Sequence, residues 1–180
     1  MATGRCLCGA VSYEVRGPMR DVLMCHCIEC RRWHGHVSAY TAVARDDLVL
    51  VEQRGLRWFD SPDSDLNARR GFCAECGSSL FWDGAGRATI SIAAGTLDAP
   101  TGLRTAGHWY VSQVGDYYEL SDDGLPRRSR GSGSDSDITS LTQIPPSNPT
   151  GRVRSPHPVR PGSAEPTSQE LLDAEREDRI

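Results

Sequence analysis

The chain has 180 residues, a formal net charge of −4, and 38% hydrophobic and 24% charged residues. That is enough for one domain of ordinary size with an appendage, and the mild acidity excludes the strongly basic face of a nucleic-acid binder. All 20 basic residues are arginine, which excludes lysine-based chemistry.

In chain order, residues 10–15 form the first short run that is β-branched and bounded by turn residues, and they read as a strand. A turn or two of helix is expected near Glu29. Residues 37–43, 47–51 and 78–82 read as further strands; Asp83-Gly84 is a hairpin-type turn signal, and residues 88–93 follow as its second strand. Residues 109–111 and 117–120 look like a closing pair. The expected fold is therefore a mainly β domain of small sheets over residues 1–121, with loops long enough to present side chains.

Composition changes abruptly after Leu120. Residues 122–180 hold no Phe, Trp, Tyr or Cys but eight of the eleven prolines, so they lack the apolar surface needed to offset ordering entropy. They are expected to be disordered, apart from a short helix at 168–177 capped by Ser168. Ten acidic and eight arginine residues leave this tail near charge balance, which gives no support to a nucleic-acid partner. The opening residues hold no apolar h-region, and no stretch nears the roughly 18 apolar residues of a membrane span. A soluble, cytoplasmic chain with no membrane partner is expected.

In a reducing compartment, clustered cysteines point to metal ligation or redox chemistry before disulfides. The seven fall into three groups: Cys6 and Cys8; Cys25, Cys27 and Cys30; Cys73 and Cys76. The last pair is a C-x-x-C hook followed by Gly77, which lets the backbone turn while amides approach the sulfurs. Closed structural zinc sites take four protein ligands, whereas catalytic ones take three and keep a position open. The central group already supplies three, leaving Cys6 and Cys8 to join Cys73 and Cys76. A single mixed site with spare redox thiols, or an iron–sulfur centre, are the competing arrangements.

Cys6-Leu-Cys-Gly-Ala-Val-Ser-Tyr13, Cys25-His-Cys-Ile-Glu-Cys-Arg-Arg32 and Gly71-Phe-Cys-Ala-Glu-Cys-Gly-Ser-Ser-Leu-Phe81, followed by Ala94-Gly-Thr-Leu-Asp98 and His108-Trp-Tyr110, resemble the glutathione-dependent formaldehyde-activating enzyme family, which includes centromere protein V. The resemblance covers about residues 3–120. It implies a β-tent fold of small antiparallel sheets stapled by two zinc ions: Cys6, Cys8, Cys73 and Cys76 at a structural site, Cys25, Cys27 and Cys30 at a catalytic one. It also implies a carbon–sulfur lyase, or S-hydroxymethyl-thiol synthase, acting on glutathione or a similar small thiol. A zinc with three thiolates carries a net −1 charge and suits a substrate thiolate better than carbonyl polarisation. Arg31 and Arg32 are then candidates for charge compensation or for gripping a substrate carboxylate. His34, one helical turn beyond Cys30, is a candidate at the site; His26 and His36 are weaker ones. Glu29 is expected to be solvated, and His108 and Trp109 to belong to the core. A non-catalytic zinc module that binds a partner, or a redox or metal-buffering protein, are the alternative functions.

Overall fold

Short β-branched and aromatic runs alternate here between core and solvent, which makes strands of four to seven residues. The computed structural model describes residues 1–61 and 67–130. In chain order they form β1 (Ala2–Arg5), β2 (Ser12–Val15), β3 (Val22–Cys25), the helix α1 (Ile28–His34), β4 (Ser38–Ala44), β5 (Leu48–Glu52), β6 (Leu56–Asp60), β7 (Arg69–Cys73), β8 (Ser79–Asp83), β9 (Thr89–Ala93), β10 (Thr105–Trp109) and β11 (Arg127–Arg128). The architecture is mainly β, as expected. One sheet has three strands in the order β1-β2-β5; the other has eight, β11-β10-β3-β4-β9-β8-β7-β6. Neighbours are antiparallel except where β10 runs parallel to both β3 and β11.

The core lies where the alternation of both sheets converges. Tyr13 and Val15 of β2 pack with Val43 of β4, Leu80 and Phe81 of β8, and Ile90 and Ile92 of β9. Tyr13 meets Phe81 edge to face, with ring centroids 5.3 Å apart, a favoured aromatic geometry. Cys6 and Cys73 belong to the same buried cluster, so one cysteine group grows directly out of the core. Among the described residues, no helix is long and apolar enough to cross a membrane.

Two expectations need correction. Residues 109–111 and 117–120 do not pair: β10 lies between β3 and β11, and residues 117–120 form no strand. The aromatic side chains there pack on histidines instead: Tyr118 stacks on His26 and lies tilted against His36, and Tyr117 meets His36 edge to face. Residues 122–130 were assigned to the tail, yet Arg127 and Arg128 pair with His108 and Trp109, and the Asp123 carboxylate meets the His108 ring. Backbone pairing and charged hydrogen bonds hold this stretch, which is why its apolar-poor composition gave no sign of it. The helix expected at 168–177 lies outside the described residues.

Asp83, at the end of β8, has a side chain only 5% exposed and accepts from both Arg45 and Arg69. Burial opposes its charge, but the two guanidiniums prevail and hold its pKa below the ordinary aspartate value. Replacing it leaves two cations facing a neutral group, so Asp83→Asn should destabilise the domain by about 1–3 kcal/mol in chemical denaturation at neutral pH. Because the folded pKa is the lower one, the stabilisation is complete above the unfolded-state value. It fades as pH falls through the folded value. The gap between wild type and variant should therefore narrow on acidification, as equilibrium unfolding at several pH values will measure.

Candidate metal centres and their surroundings

Two hairpin loops supply the first sulfur group. Cys6 and Cys8 lie in the loop from β1 to β2; Cys73 ends β7, and Cys76 lies in the loop to β8. Both loops close in the same way: the Cys6 N–H donates to the Val11 carbonyl at 2.9 Å, and the Cys73 N–H to the Ser78 carbonyl at 2.9 Å. Gly77, at φ +75°, makes the reversal that a Cβ would strain. The four sulfurs lie within 4.8 Å of one another. The separations are 3.6 Å for Cys6–Cys8 and 3.8 Å for Cys8–Cys73. A disulfide needs about 2.05 Å, and all seven cysteines are free. A tetrahedron of sulfurs about 2.3 Å from zinc has edges of about 3.8 Å, so this donor set fits such an ion.

The group is also prepared for negative charge. The Val11 N–H donates to the Cys6 sulfur at 3.3 Å. Ser78 accepts the Leu7 N–H through its hydroxyl and lies 3.2 Å from the Cys76 sulfur. The Ser78 hydroxyl first, and then its N–H, push Cys76 down to about 5. The Arg54–Glu75 ion pair sits alongside, with Arg54 feeling the Cys8 charge.

A strand-to-helix turn supplies the second group. Cys25 ends β3, Cys27 caps α1 by accepting the Cys30 N–H at 3.4 Å, and Cys30 lies buried in the helix. Their sulfurs come within 4.8 Å of one another, and no fourth His, Cys, Asp or Glu among the described residues joins them. The thiols of Cys25 and Cys27 hydrogen-bond to Cys30 and hold it well below the usual thiol range, while Cys25 is pushed up. Within the trio, ionisation is therefore favoured at Cys30 over Cys25.

The cation nearest that thiolate is Arg70 of β7, which sequence reasoning missed. Its side chain is 2% exposed, with Nη1 3.8 Å from the Cys30 sulfur, Nη2 2.9 Å from the Glu29 carboxylate and Nε 3.1 Å from the Ser61 hydroxyl. Burial opposes its charge, and Cys30 and Glu29 more than restore it. Glu29, expected to be solvated, is instead the anchor of this guanidinium. Arg31 does not reach a sulfur; its Nε donates to the His26 carbonyl at 3.3 Å and braces the loop. Arg32 is exposed. His34 lies in α1 with its Nε2 2.8 Å from the Tyr40 hydroxyl; burial lowers its pKa, and the Cys30 charge opposes that shift.

His26, between Cys25 and Cys27, is 2% exposed and hydrogen-bonds on both ring nitrogens. Its Nδ1 lies 2.8 Å from the Tyr118 hydroxyl and its Nε2 3.0 Å from His108 Nδ1; His108 Nε2 lies 3.0 Å from Asp123. His108 is buried, as expected of it. Tyr118 and Asp123 are the other residues that sequence reasoning missed, since nothing in their own neighbourhood marks them.

The model of the glutathione-dependent formaldehyde-activating enzyme family matches residues 1–113. No curated protein matches. A Rhodobacter sphaeroides protein of known crystal structure is 25% identical, over 54% of this chain and 88% of that one, with a TM-score of 0.45. With more than half of its length matched, this chain belongs to the glutathione-dependent formaldehyde-activating enzyme family.

Proposed function

We propose that this protein is a zinc-dependent carbon–sulfur lyase that makes and breaks the adduct between a small thiol, glutathione or a relative, and formaldehyde. The observation that carries this reading is the contrast between the two groups: four sulfurs converge at one, and only three at the other. Cys25, Cys27 and Cys30 would hold a zinc ion, which would supply an open position able to lower the pKa of a substrate thiol. In the forward direction the sulfur–carbon bond forms and the carbonyl π pair moves to oxygen, which takes up the proton given up by the thiol. The reverse breaks the same bond and returns the electron pair to sulfur.

The residues divide this work. Cys27 fixes both a sulfur and the start of α1. Arg70 offsets the excess negative charge from the buried side. Arg31 ties the metal loop together through the His26 carbonyl, and Arg32, exposed next to it, is free to meet a substrate carboxylate. Cys6, Cys8, Cys73 and Cys76 form the structural site that staples the two sheets.

Metal content and glutathione binding test the assignment. Wild type should carry two zinc ions per chain. Cys27→Ser should carry about one, keep its fold because serine caps a helix well, and lose thiol binding. Cys73→Ser should unfold the domain, visible as lost near-ultraviolet dichroism. Normal turnover by Cys27→Ser would sink the proposal. So would easy loss of the second zinc to a mild chelator from a chain with no activity, which describes a metal buffer.

Arg70 gives a second test. Arg70→Gln should weaken zinc at the three-cysteine group by about 10- to 100-fold while leaving the four-cysteine group unchanged, as chelator competition with two resolved metal phases will report.

A further inference from the structure

The first turn of α1 is where the three-cysteine loop meets the chain beyond β10. Backbone N–H groups in a first turn have no partner within the helix. Cys27 satisfies two of the N–H groups that follow it, taking that of Cys30 on its sulfur and that of Arg31 on its carbonyl, the latter at 3.0 Å. The Ile28 N–H is met from much further along the chain: the side-chain oxygen of Gln113 accepts it at 2.9 Å. An N–H only donates, so the atom facing it is Oε1 and the orientation of the carboxamide is settled by chemistry. Its Nε2 keeps two donors, and neither has a partner among the described residues.

This carboxamide lies against the peptide bond of one of the three cysteines, since Ile28 N is joined to the Cys27 carbonyl carbon. The space behind the trio is closed: Cys30 is buried, and Arg70, Glu29 and Ser61 pack on that side. Cys25 and Cys27 are half-buried, whereas Gln113 is exposed and Ile28 is 46% exposed. A small thiol entering from solvent therefore comes along the Cys25–Cys27 edge, where Gln113 stands. Arg31, the nearby cation on α1, directs its Nε to the His26 carbonyl instead. The fixed donor at this edge is a neutral one, and a neutral carbonyl is its natural partner.

We propose that Gln113 is a specificity-determining residue: anchored through Oε1 on the Ile28 N–H, it donates from Nε2 to an amide carbonyl that flanks the thiol of the substrate. The proposal rests on the lyase reading and deepens it by naming the substrate class, a cysteine thiol held in amide linkage, over a bare thiol. One neutral hydrogen bond makes the difference, so the expected discrimination is about three- to tenfold.

The experiment uses the zinc-loaded full chain and two uncharged thiols: N-acetylcysteinamide, whose thiol is flanked by amide carbonyls, and ethanethiol, which has none. Gln113→Glu keeps an oxygen for the Ile28 N–H and removes the donor. Calorimetry should find its Kd for N-acetylcysteinamide raised about three- to tenfold, with Kd for ethanethiol and zinc content unchanged. Because neither probe carries charge, the new carboxylate does not repel one and spare the other. In the wild type, the side-chain amide ¹⁵N–¹H NMR signals of Gln113 should shift on adding N-acetylcysteinamide and stay in place with ethanethiol, a reading that holds even where the variant fails to fold. Equal weakening of both thiols, no weakening of either, or Gln113 signals unmoved by bound N-acetylcysteinamide would overturn the proposal. Failure of the lyase reading looks different: the same discrimination in binding, but no carbon–sulfur bond formed when formaldehyde is added. A wild type that binds neither probe would end both.

Discussion

Negative charge packed at short range is the constraint on which the rest depends. Two thiolates no more than 4.8 Å apart repel by at least about 3 kcal/mol at an effective dielectric near 20. A trio fully ionised without a counter-ion would therefore oppose folding. Within the trio, ionisation is favoured at Cys30, which the thiols of Cys25 and Cys27 hydrogen-bond and Arg70 faces. Ionising the remaining sulfurs requires a cation, so capturing a metal and losing thiol protons are one event. The buried guanidinium follows from the same need. Hydrogen bonds from Nη2 to Glu29 and from Nε to Ser61 hold it where the charge is.

The two sulfur groups solve different mechanical problems. Cys6 and Cys8 sit on a loop of the three-stranded sheet, and Cys73 and Cys76 on a loop of the eight-stranded one. Their closest sulfurs are 65 residues apart in sequence, Cys8 to Cys73, so a shared ion closes a long loop and fixes one sheet on the other. Cys25, Cys27 and Cys30 span six residues at the end of β3 and the start of α1. Local ligands hold their geometry without binding distant parts of the chain together. In the proposed reading, that separation would let a reactive centre exchange its fourth partner while the fold stays put.

How much of this was legible in the sequence depends on the range of each interaction. Alternating β-branched runs located β2, β4, β5, β8 and β9, and the helix near Glu29 is α1. Cysteine spacing is local chemistry, and it sorted seven sulfurs into the two groups that the structure brings together. β6 and β7 were not legible, because Arg57, Asp60, Arg69 and Arg70 break the hydrophobic pattern on strands held mainly by backbone pairing. Arg70 meets Cys30 across 40 residues and Asp123 meets His108 across 15. Neither partner can be named until the sheet order is known. Tyr117 and Tyr118 misled because their aromatic character, read as strand propensity, serves stacking on His36 and His26.

The end of the family match at residue 113 falls at a physical boundary as well. Every cysteine lies before it, on elements whose backbone must hold sulfurs to within a few tenths of an ångström. The residues after it, Tyr117, Tyr118 and Asp123, touch the metal loop only through the rings of His26, His36 and His108. A ligand set tolerates almost no variation, whereas side chains one ring further out can change without disturbing it. In the proposed reading, the chemistry common to the family therefore resides in the sulfurs.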